Sequence, residues 1–186
     1  MLSKIISYNI YFAFIFMIAG SGCVSQKVYI NKVNGWRGLD IKEKAKIGIG
    51  YFDVSSARSK ELKKNILSDS VFFNLQNRGF DVVENRELRL AMQKKSIPED
   101  AILGEYELFR LADRFPGQYV LQGTMHEFVI DDGMKEKISL SLDCYVLDAV
   151  TGKRLASVKI FDTGLKQVTE KEIFMIARKL VRTLEK

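Results

Sequence analysis

The chain has 186 residues, 47% of them apolar and 28% charged, with two prolines, two cysteines and one histidine. That composition excludes a disordered or collagen-like chain and fits one compact domain with a short extension. A formal charge of +6, spread along the sequence, suits a protein near anionic lipid or wall polymer. The basic residues form no compact stripe interleaved with aromatics, so nucleic acid is not expected as a partner.

The N-terminus carries the first signal. Lys4 supplies a positive start, and residues 10–19 are an uninterrupted apolar run. The run falls short of the ~20 residues that span a bilayer as a helix. Gly20, Ser21 and Gly22 are small, as a signal-peptidase site requires, and Cys23 follows at once. A secretory signal ending on a cysteine reads as a bacterial lipoprotein signal. Residues 1–22 are then the signal peptide, and Cys23 becomes the lipid-carrying first residue. Gly20 stands where such signals usually carry Leu or another branched residue. Each buried lipid CH₂ is worth about 0.8 kcal/mol, so two or three acyl chains anchor firmly without help from the folded part. The expected location is the cell envelope, on the periplasmic face of the outer membrane. With Cys23 lipidated, Cys144 is left alone and no internal disulfide can form.

Residues 24–44 show no sustained period and contain Asn31, Asn34, Gly35 and Gly38. They read as a tether, giving a lipidated segment 23–44 and a domain 45–186. Residues 45–54 alternate Ile47, Ile49 and Tyr51 against Gly48, Gly50 and Phe52, which predicts a strand. Its glycines imply that another element lies close against one face. They do not make a dinucleotide loop, because Asp53 stands where the third glycine would be and the glycines lie inside the strand.

Residues 59–78 predict a helix with Leu62, Ile66, Leu67, Val71, Phe73 and Leu75 inward, Ser59 as N-cap and Gly79 just past the end. A short strand at 80–84 follows. Asn85 is placed to cap a helix reaching about Lys95, with Leu88, Ala91 and Met92 inward, stopped by Pro98. A third helix is expected at 105–115.

Three strands come next, at 119–130, 138–147 and 154–161, joined by turns at Asp131-Asp132-Gly133 and at Asp148 to Gly152. The middle strand alternates Leu140, Leu142, Cys144 and Val146 against Ser139, Ser141, Asp143 and Tyr145, and the second set reads as a solvated face. Thr169 and Glu172 form a capping box, with Val168 and Ile173 as a hydrophobic staple, opening a last helix whose stripe is Ile173, Ile176, Ala177, Leu180, Val181 and Leu184. The fold class is α+β: a single domain with a mixed sheet of about five strands, an antiparallel C-terminal meander, and helices packed on the sheet.

Chemistry is sparse. His126, the single histidine, sits mid-strand beside Glu127 and has no second histidine or cysteine pair with which to hold a metal. There is no Gly-x-Ser-x-Gly elbow. Asp131 and Asp132 read as turn formers rather than a catalytic pair. Cys144 lies on the apolar side of its strand and reads as a buried, inert thiol. No catalytic, metal or cofactor residue is assigned, and no enzyme activity is expected.

From residue 45 onward the order of features resembles the bacterial lipoproteins related to the curli secretion protein CsgG and the penicillin-binding-protein activator LpoB. The resemblance is carried by the strand Ile47-Gly-Ile-Gly-Tyr-Phe-Asp53, by Gly79-Phe-Asp-Val-Val-Glu-Asn-Arg-Glu-Leu88, by Gln118-Tyr-Val-Leu-Gln-Gly-Thr124, and by residues 142–157 around Asp148-Ala-Val-Thr-Gly-Lys153. It implies an anchored, non-enzymatic periplasmic domain that binds another envelope protein, a peptidoglycan synthase being one such partner, and it leaves self-association open. The chain has no room for the extra hairpins with which the curli protein builds its pore. It also carries Asn85 where such proteins often have Arg.

Overall fold

The computed structural model describes residues 30–33, 46–56, 59–131 and 136–184. In chain order the elements are β1 (Ile30–Val33), β2 (Lys46–Ser55), α1 (Lys60–Asn77), β3 (Asp81–Val82), α2 (Asn85–Lys94), α3 (Glu105–Leu111), β4 (Tyr119–Asp131), β5 (Glu136–Asp148), β6 (Arg154–Leu165) and α4 (Glu170–Leu184). They form one six-stranded mixed sheet in the order β1-β6-β5-β4-β2-β3. β2 runs parallel to β3 and β4, while β4, β5, β6 and β1 form an antiparallel run. Five of the strands and all four helices are those the sequence predicts. The sixth, β1, lies within the stretch read as a tether and pairs with β6 through Ile30↔Ile160 to Val33↔Ser157.

α1 and α4 cover one face of the sheet, here the inner face. The buried side chains of β5 on this side are Leu140, Leu142, Cys144 and Val146, as the alternation requires. They meet Leu67, Val71 and Leu75 of α1 and Ile173, Ile176, Leu180 and Val181 of α4. Burying each such Leu, Ile or Val stabilises by about 1.5–3 kcal/mol, and this layer is the main core. α4 starts as expected: Glu172 accepts from the Thr169 backbone N–H at 3.1 Å, and the Thr169 hydroxyl donates to the same carboxylate. That hydroxyl, first among the causes, holds Glu172 below the usual carboxylate range.

α1 departs from its predicted start and face. Ser59 precedes the helix in the left-handed region, at φ 55°, and its side chain makes no cap bond. Leu62 and Phe73 are 58% and 52% exposed. The buried stripe is Leu67, Ser70, Val71, Asn74 and Leu75. Asn74 is tolerated inside because its amide donates to the Ser70 carbonyl at 2.7 Å, so burial leaves it paired. The end of α1 is as predicted. Gly79 adopts φ 78°, its N–H bonds to Gln76 O at 2.9 Å and the Phe80 N–H to Leu75 O at 3.2 Å, a Schellman closure.

The outer face is closed in two ways. At one end α2, α3 and their connection pack on it, joining Leu88, Ala91, Met92, Leu103, Leu108 and Leu111 to Val120 and Leu147. The glycines of β2 admit this layer: a Cβ on Gly48 would stand 2.3 Å from the Phe115 ring. α3 stops at Leu111, earlier than predicted, yet Phe115 stays buried. Gln122, fully buried, ties the layer down. Its amide accepts from Leu103 N at 3.1 Å and donates to Leu103 O at 2.6 Å and to Tyr145 Oη at 3.1 Å.

At the other end no described helix covers the outer face, and Ser139 and Ser141 correct the solvated reading: both are buried, and neither hydroxyl has a partner. Their cross-strand neighbours are Phe128, His126 and Phe161, whose rings shield them.

Candidate functional site

Cys23, on which the lipid reading rests, lies outside the described residues, as do Asp132 and Gly133. Asp131 closes the β4–β5 hairpin opposite Glu136. Cys144 is buried in the inner core, where desolvation pushes its thiol well above the usual range, so it is held as an unreactive SH. His126 sits half-exposed on the outer face. Its Nε2 is 3.6 Å from Asp143, which also takes Lys159 at 3.0 Å, and its ring stacks on Phe128 at a centroid distance of 6.0 Å. Among the described residues, no group of three or more metal-ligating side chains gathers, and no helix is long and apolar enough to cross a membrane. Asp148 shapes the β5–β6 turn, its Oδ1 accepting from Thr151 N at 2.7 Å and Val150 N at 3.0 Å.

Two places emerge that no sequence spacing announces. The first is a charged cluster where β2 ends. Glu127 Oε2 accepts from Lys63 Nζ at 2.5 Å and from Ser56 Oγ at 2.8 Å, and Lys63 also donates to Ser56 at 3.0 Å. Burial alone would raise the Glu127 carboxyl, but the bonds from Lys63 and Ser56 and the Lys63 charge outweigh it, and the group is held low. The cluster is a clamp joining the end of β2, α1 and β4. A shallow depression of about 310 Å³ lies beside it.

The second is a cleft of about 510 Å³ between α1 and α2. Its floor is the edge of β2 at Ile49, Gly50, Tyr51 and Phe52. β3 pairs with β2 only at Lys46 and Ile47 before the chain turns into α2, so beyond Ile47 β2 has a strand neighbour on one side alone among the described residues. A bulge between Ile49 and Phe52 bends this edge. Lys64 and Arg89 on the walls are engaged by Glu61 at 2.8 Å and Glu99 at 3.8 Å. Glu61, then Tyr51, raises the Lys64 ammonium further. Asp69 and Asp100, also on the walls, are exposed and have no ion pair among the described residues.

By sequence, no protein-family model and no curated protein matches the chain. Solved structures match the fold. The PelC dodecamer from Paraburkholderia phytofirmans aligns at 12% identity and TM-score 0.55, over 84% of this chain and 97% of that one. Lipoprotein GNA1162 from Neisseria meningitidis aligns at 15% identity and TM-score 0.52, over 76% and 99%. The C-terminal domain of LpoB from Salmonella enterica aligns at 17% identity over 66% and 84%, with a TM-score of 0.48 that carries no argument by itself. The domain thus has the fold found in PelC and in lipoprotein GNA1162.

Proposed function

We propose that this chain is an envelope lipoprotein, anchored through lipid on Cys23 at the periplasmic face of the outer membrane, whose domain binds another envelope protein and performs no catalysis. The observation that carries the reading is the fold shared with lipoprotein GNA1162 across 76% of the chain, beneath an N-terminal signal that ends on a cysteine. The partner in this reading is a cell-wall synthesis enzyme, as the resemblance to the LpoB-type activator suggests. Two or three acyl chains suffice for anchoring, which leaves the folded surface free for recognition.

A second reading is favoured by a separate observation, the fold likeness to PelC, a dodecamer. In it the domain self-associates as an assembly component of a secretion apparatus of the kind the curli resemblance implies.

One experiment separates the two. Tagged full-length protein and its Cys23→Ala variant are gently cross-linked in cells and captured, and the products are read by mass spectrometry. A peptidoglycan synthase among the products supports the first reading. Products made mainly of the chain itself with outer-membrane components support the second. Cys23→Ala is expected to move the protein from the membrane fraction to the soluble one, and unchanged fractionation overturns the lipid anchor.

A further inference from the structure

We infer that the open edge of β2 receives an extended segment of the partner protein, added as an extra strand, with basic side chains set against Asp69 and Asp100. The inference rests on the reading of the domain as a binding module and names its mode of recognition.

The edge supplies the affinity. Ile47 O accepts from Val83 N at 2.8 Å on the open side. Strand alternation directs the N–H and C=O of Ile49 to the same side, where no strand follows among the described residues. Unpaired strand edges are templates for a further strand. The cleft floor from Ile49 to Phe52 spans roughly 10 Å at the usual strand rise, enough for three or so residues on an edge that the bulge bends.

The walls select the occupant. The edge lies at the bottom of a cleft between α1 and α2, so the helix-covered sheet of a second domain cannot reach it, whereas a lone extended segment can. The wall cations are engaged by Glu61 and Glu99, which leaves the carboxylates of Asp69 and Asp100 without an ion pair among the described residues. Asp69 belongs to α1, on the inner side of the sheet. Asp100 follows α2, on the outer side. Neighbouring residues of a strand point to opposite faces, so a segment that satisfies both carboxylates carries Lys or Arg an odd number of positions apart.

The test uses full-length protein purified from membranes in detergent, with three fluorescent octapeptides of Thr and Val as probes. One carries adjacent lysines, one carries lysines two positions apart, and one carries adjacent glutamates. Fluorescence anisotropy should show the adjacent-lysine peptide binding about five-fold or more tighter than the other two, the size expected of exposed charge pairs. Asp69→Asn and Asp100→Asn should each weaken it several-fold, and Ser68→Trp, which fills the cleft from the α1 wall, should abolish it. Amide exchange at Ile49 should slow with peptide bound. Equal binding of all three peptides, no binding, or binding indifferent to these variants overturns the inference. Self-association of the chain that Asp69→Asn with Asp100→Asn abolishes also overturns it, in favour of a second copy as occupant. If cross-linked capture still recovers an envelope partner while the peptides fail, the cleft is at fault and the binding-module reading stands. If the peptides bind while capture recovers no envelope partner, the binding-module reading is at fault.

Discussion

The two faces of the sheet use the same long strands but are closed by different means. On the inner face two helices, α1 and the amphipathic α4, lie across the strands and bury a continuous apolar layer. On the outer face a smaller layer under α2 and α3 covers one end, and rings from neighbouring strands shield two unpartnered serines at the other. The inner face is built for stability by bulk burial. The outer face depends on particular side chains, Gln122 above all, and beside it the β2 edge beyond Ile47 has no strand partner among the described residues. Removing bulk should therefore cost most inside, and removing polar groups outside should range from costly to neutral according to whether they are paired.

The sharpest contrast is Leu142→Ala, in the inner core at 0% exposure, which should lose about 3 kcal/mol in urea unfolding followed by circular dichroism. A loss under about 1 kcal/mol would mean the inner layer is loosely packed. On the outer face, Gln122→Ala leaves the Leu103 N–H and C=O without their partner and should cost about 2 kcal/mol. Its distinguishing readout is faster amide exchange at Leu103 while exchange under α4 is unchanged.

At the clamp, Glu127→Gln should cost about 1 kcal/mol near neutral pH, since Glu127 is largely but not wholly sheltered from water. The carboxyl is depressed below its ordinary 4.5 in the folded chain. Its contribution is therefore present above that value and is lost as pH falls through the lower folded value. The stability difference between wild type and Glu127→Gln should shrink on acidification below about pH 4.5, and a difference that stays constant would remove the clamp from the account. The smallest effect is expected at Ser141→Ala. It deletes a buried hydroxyl that has no partner, so stability should stay within about 0.5 kcal/mol of wild type or rise.

The contrast also explains what could be read from residues alone. The inner face was legible because each strand and helix announces its buried side locally: Leu140, Leu142, Cys144 and Val146 alternate, and α4 carries both cap and stripe. α1 was harder. Leu62 and Phe73 look apolar enough to be inward, but the packed stripe runs through Ser70 and through Asn74, whose amide is paired with the Ser70 carbonyl within the helix. The burial of Ser139 and Ser141 carries no local sign, because the covering rings belong to β4 and β6. The clamp joins Ser56 to Glu127 across 71 positions, beyond any motif spacing. The cleft depends on β3 ending after two residues, a length that Asn85 as a helix starter only partly hints at. Asn85 is itself the first helical residue rather than the cap, a place Glu84 takes.

The position of Cys144 has a practical consequence. The chain has two cysteines, so the Cys23→Ala variant keeps a single thiol, walled into the inner core at 1% exposure. A thiol-reactive label can attach to it only during moments when the helical cover lifts from the sheet. The pace of mass gain in such a reagent is then a clock for those openings, and any partner that braces the domain should slow it.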